Sequence, residues 1–87
     1  MEKHKGLQPW MPATYRISVQ GNLPKSWSVR LGGMTITLTS EMDQPPVTTL
    51  TGSLQDQAAL LGVLTTLYDL LRLPLLSVEY LADDDDN

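Results

Sequence analysis

The chain holds one histidine, His4, and one block of carboxylates, Asp83 to Asp86, and these are the first places to look for chemistry. An imidazole works as a general base only when it is held within hydrogen-bond reach of the proton it takes. His4 sits in MEKHKGLQPWMPA, a polar stretch broken by Pro9 and Pro12, with no acid or nucleophile held at a fixed place beside it. It reads as part of a tail. The adjacent aspartates offer hard oxygen ligands, but a divalent cation needs ligands that converge from a folded frame. A contiguous acidic run repels itself and reads as a solvated tail. Asp56, Asp69 and Glu79 are too scattered to mark a paired-carboxylate site. Gly32-Gly33 lacks the lysine and the following helix that a phosphate loop requires. Cysteine is absent, which removes thiol catalysis, cysteine metal sites and any disulfide framework. The expectation is a non-enzymatic protein with no cofactor and no metal.

One constellation keeps a small ligand in view. Trp27 with Arg16 and Arg30 forms a candidate pocket between helix and sheet, because an indole face attracts cations and flat rings. The competing reading makes Trp27 a plug over the helix–sheet seam.

The elements that must position these residues follow from the punctuation. Thr14 to Gln20 alternates Tyr15, Ile17 and Val19 against Thr14, Arg16 and Ser18, as a half-buried strand does. Pro24 suits the first position of a helix and Gly32 its end, so Pro24 to Leu31 reads as about two helical turns. Met34 to Thr39 alternates again, EMDQPP turns the chain, and Val47 to Thr51 is a weaker third strand. Ser53 is the expected N-cap of the main helix, with Asp56 as its reciprocal capping residue. That helix should stop near Arg72, ahead of Pro74. Leu75 to Leu81 is the last strand, with Leu76, Val78 and Tyr80 facing one way. The order is βαββαβ. It predicts an α+β two-layer sandwich, a four-stranded, mostly antiparallel sheet with one long and one short helix, in the ferredoxin-like arrangement. Should residues 24–31 be a loop, the alternative is a three-stranded meander followed by helix and strand. Residues 1–12 read as a mobile leader, with Met11 as an alternative start, residues 13–82 as the domain, and 83–87 as a disordered acidic tail.

The main helix says most about partners. On a helical wheel Gln55, Thr65, Thr66, Asp69 and Arg72 share one sector, opposite Leu60, Val63, Leu64, Leu67, Leu70 and Leu71. With Leu61 and Tyr68 the apolar arc covers about half the circumference, against the ~100° stripe that a helix on a sheet requires. The excess must be covered by the short first helix and Trp27, by the leader, or by a second chain. Leu61, Val63 and Leu70 are the candidate interface residues, and a homodimer or a complex with another protein is the expected assembly. The net charge of −4 belongs to the tail. Ten acids less the four of Asp83 to Asp86 leave six, against six bases, so there is no basic footprint for nucleic acid or for a membrane surface. The apolar runs are shorter than the ~20 residues of a membrane span, and no apolar segment follows the basic N-terminus. A cytoplasmic location is expected.

The segments YRISVQGNL, SW before LGGMTIT, LTGSLQDQAALLGVL and LPLLSVE resemble a widespread family of small, uncharacterised bacterial proteins. The resemblance spans about residues 13–81 and is most specific from Asp56 to Glu79. It implies a stand-alone bacterial, cytoplasmic domain and no transferable activity. Three departures stand out: Leu61 where relatives often have histidine, Arg72 where they have glycine, and Arg30 where an aromatic residue is common. These departures imply a pattern that specifies a fold and an interface, with a regulatory or interaction role expected and a small-molecule sensor near Trp27 as the alternative.

Overall fold

The computed structural model describes residues 7–83. His4 and the acidic tail from residue 84 onward lie outside them. Strand β1 (Ala13–Gln20) is followed by a 3-10 helix (Lys25–Leu31), β2 (Thr35–Thr39), β3 (Val47–Leu54), α1 (Gln57–Thr65), a π-helical turn (Thr66–Leu70) and β4 (Leu75–Asp83). The four strands form one sheet in the order β2-β3-β1-β4, with every neighbouring pair antiparallel. The α+β class and the antiparallel four-stranded sheet agree with the sequence expectation. The meander alternative does not, because β3 lies between β1 and β2.

The alternation in β1 sets the core. Ala13, Tyr15, Ile17 and Val19 are buried under the helical layer, while Arg16 and Gln20 face the other way and are exposed. Leu50 and Leu54 from β3, Met34 and Ile36 near β2, and Leu31 from the 3-10 helix pack against them. Leu60, Val63 and Leu67 close the cluster from the second crossover.

Three local expectations change. The first covering element is a 3-10 helix, so the ferredoxin-like arrangement, which has an α-helix there, is not reproduced in full. KSWSVRL offers no side-chain N-cap, and serine, tryptophan and valine are weak helix formers, so the segment keeps the tighter short form. Gly32 ends it at φ +74°, a left-handed conformation that glycine adopts without strain. The main helix begins later than Ser53. β1 offers pairing partners back to Ala13, so β3 runs on through Ser53 and Leu54, opposite Thr14 and Ala13. Asp56 is the cap instead, its Oδ1 accepting the Ala59 N–H at 2.8 Å. The next free amide, Gln57 N–H, donates to the Pro9 carbonyl at 2.8 Å, so this part of the expected leader satisfies a helix end.

The helix ends in a widened turn. The Thr66 hydroxyl donates back to the Gly62 carbonyl at 2.9 Å, a contact that tends to bend helices. Leu71 N–H then reaches Thr66 O, and Leu73 N–H reaches Leu67 O, both at 3.0 Å. Between them Arg72 sits at φ +57°. A left-handed backbone after a helix end is a position that glycine fills without strain. Next to this end, where Gly21 lies against Leu73, Thr48 is a fully buried polar side chain. Its hydroxyl donates to Gly21 O at 2.6 Å and accepts Leu23 N–H at 3.1 Å, fixing the exit from β1 to β3.

Replacing Thr48 with valine keeps the shape and strands a buried N–H, so Thr48→Val should cost about 1–3 kcal/mol in urea unfolding. An unchanged midpoint would show that the hydroxyl holds nothing. Arg72→Gly should raise stability by roughly 1 kcal/mol, because the left-handed conformation costs an L residue about that much. A lowered midpoint in the same assay contradicts this account of the helix end.

Candidate interaction surface

The helical layer does not cover the whole sheet. α1 packs over β3 and the 3-10 helix against β2, while β4 is held chiefly by β1. The register sets Val78 opposite Ile17, Tyr80 opposite Tyr15 and Leu75 opposite Val19, so all three face the covered side. Little of the roof reaches them. Leu75, Leu76, Val78, Tyr80 and Leu81 keep between 37% and 51% of their surface accessible. Tyr80 leans on Tyr15 with ring centres 6.2 Å apart and planes tilted by 57°. The Tyr15 hydroxyl is buried beneath this contact with no hydrogen-bond partner among the described residues.

At the end of the helical segment Tyr68 and Leu70 are exposed, at 62% and 67%, and Leu61 at 62%. Of the three candidate interface residues, Leu61 and Leu70 therefore reach the surface. Val63 does not, because it points into the core beside Leu54 and Gly32. Leu60 and Leu67 are buried as core anchors, while Leu64 and Leu71 pack against the core half-buried. A shallow cleft of about 310 Å³ lies beside this end of the helix, lined by Tyr68, Arg72, Leu73 and Pro74.

The candidate ligand residues divide between two faces. Arg30 stacks on Trp27, its guanidinium carbon 5.1 Å from the ring centre, beside an open cleft of about 250 Å³ that Ser26 completes. Trp27 is half-buried against the core, as a plug over the seam would be. Arg16 is not with them. It leaves β1 from the open face of the sheet and pairs with Glu79 of β4, Nε to Oε1 at 2.7 Å. Other polar groups are engaged in structure: Asp56 caps α1, and Ser28 donates to the Met34 carbonyl at 2.6 Å. Among the described residues no three His, Cys, Asp or Glu side chains converge as a metal site, and no helix is long and apolar enough to cross a membrane.

A family model described as Domain of unknown function (DUF8691) matches residues 14–79. The chain belongs to this family. The DUF8691 span runs from the second residue of β1 into the middle of β4 and includes both helical crossovers. It therefore contains Trp27, Leu61, Tyr68, Leu70 and Val78. No curated protein and no solved structure matches the chain.

The open apolar strip along β4 was not legible as such in the sequence. Its residues alternate like those of any strand whose inner face is covered, and only the placement of α1 over β3 leaves them bare. Tyr68 had its signal in the over-wide wheel. In a Trp10→Phe background, Arg30→Ala should change the emission of Trp27 while moving stability by less than about 1 kcal/mol. Emission identical in both proteins would mean that the guanidinium does not rest on the indole in solution.

Proposed function

We propose that this DUF8691 domain is a non-enzymatic interaction or regulatory module that works as a homodimer. The observation that carries the reading is the strip of half-exposed aliphatic and aromatic side chains on β4, with Tyr68 and Leu70 exposed nearby in sequence at the helix end. Singly exposed apolar residues are ordinary, but contiguous apolar surface in so small a domain marks an interaction site. A small domain also gains stability from assembly, because it buries a modest share of its unfolded surface. The non-enzymatic part is supported by how the polar side chains are used, in a helix cap, a turn latch and a cross-strand ion pair. The ferredoxin-like kinship belongs to the same reading, supported by β1 and β3 at the centre of the sheet and β2 and β4 at its edges. So does a cytoplasmic location, which suits a chain without cysteine. The small-molecule alternative has less behind it, since Arg16 lies on the other face and Arg30 already occupies the indole of Trp27.

Light scattering at tens of micromolar should give twice the mass of one chain, and the melting temperature should rise with protein concentration, as it does for a dimer that dissociates on unfolding. A single-chain mass with a concentration-independent melting temperature sinks the homodimer.

A further inference from the structure

Resting on that reading, we propose that two copies join edge to edge through β4, antiparallel, about a two-fold axis that passes through Val78 perpendicular to the sheet. Among the described residues β4 is an edge of the sheet, paired with β1, and an edge strand is a ready template for a further strand. The other edge, β2, is a poorer template, being short and carrying three threonines in TITLT.

The choice of axis follows from pattern and charge. Residues directly opposite each other in an antiparallel pair share one face of the sheet. A perpendicular two-fold must then pass at a residue, and the regular part of β4 offers Ser77, Val78 and Glu79 near its middle. An axis at Glu79 sets two carboxylates against each other and Leu81 against Ser77. An axis at Ser77 places Pro74, which has no N–H, in the ladder opposite Tyr80. An axis at Val78 matches like with like. Val78 meets Val78, Leu76 meets Tyr80, Leu75 meets Leu81, and Ser77 meets Glu79. The Ser77 hydroxyl of one copy can then donate to the carboxylate that Arg16 already holds in the other.

The register of β4 on β1 shifts on either side of the stretch Ser77–Tyr80, leaving Leu76 and Leu81 as the extra residues of two bulges. Bulges increase local twist, so the shared ladder is short. A stable dimer buries ~1,600 Å² in total, more than a short ladder covers. The same axis keeps both helical layers on one side and sets the two uncovered β4 faces next to each other, which adds Leu75, Tyr80 and Leu81 of both copies. An extended peptide of another protein is the competing occupant of this edge.

The absence of cysteine makes single-thiol variants of the full chain direct reporters. In the proposed register the Val78 Cα atoms lie ~4.5–5.5 Å apart, within disulfide reach, whereas those of Glu79 are about 8 Å apart and beyond it. Under mild oxidation Val78→Cys should therefore form linked dimers about tenfold faster, or more, than Glu79→Cys or Leu70→Cys. Fastest linkage at Glu79 or Leu70, in a protein that light scattering shows to be dimeric, overturns the Val78 axis and leaves self-association standing. A monomer at every concentration overturns both, and leaves the edge to a foreign peptide. Val78→Asp provides a second check, since Val78 is 43% exposed and the variant should fold by circular dichroism. It apposes two carboxylates on the axis and should weaken association about tenfold or more. Unchanged association of a folded Val78→Asp protein also overturns the axis.

Discussion

β1 is hydrogen-bonded along both of its edges, to β3 from Ala13 to Gln20 and to β4 from Ala13 to Val19, and this double pairing governs the rest of the domain. Because its side-chain period is two, fixing β1 between two neighbours commits Ala13, Tyr15, Ile17 and Val19 to one face at once. That face becomes the floor of the core. The same pairing draws β3 out to Leu54, which delays the helix until Asp56 can cap it. The position of α1 over β3 is thus a consequence of strand length as much as of helix pattern.

Much of this was written in local patterns. Strand positions, the Gly32 stop and the halt before Pro74 rest on period-two alternation and on backbone stereochemistry, which depend on near neighbours in sequence. Leu60 and Leu67, which fall on the apolar side of the helical wheel, are buried for a similar reason. What was not readable depends on distant partners. Ser53 has the chemistry of a cap, yet pairing with Thr14 claims it for a strand. Val63 shares the apolar arc with Leu61, and only the direction from which β3 approaches buries one and leaves the other exposed. Arg16 and Trp27 looked like companions because both could contact a flat ligand. The alternation of β1 puts them on opposite sides of the sheet.

The two edges of the sheet are built on different terms. β2 is brief, and its outward residues are threonines that water solvates readily. β4 is longer, is bent by its two bulges, and keeps its apolar side chains although the roof stops short of them. Within one protomer those side chains stabilise little, since half-exposed apolar surface yields only part of its transfer free energy. Retaining five of them on one edge makes physical sense for a surface that is covered part of the time. Family membership adds a boundary to this picture, because the matched span ends at residue 79, within the strand that carries the edge.

The hydroxyl of Thr48 joins the start of β3 to two backbone groups on the way out of β1. The loop that leads into the 3-10 helix is therefore not a free appendage. Prising it away exposes Leu23 and breaks into the central strand pair, so loosening that starts at the crossover should spread to the whole domain instead of remaining local. In hydrogen exchange the amides around Gly21 and Leu23 would then behave as members of the slow, cooperative unit.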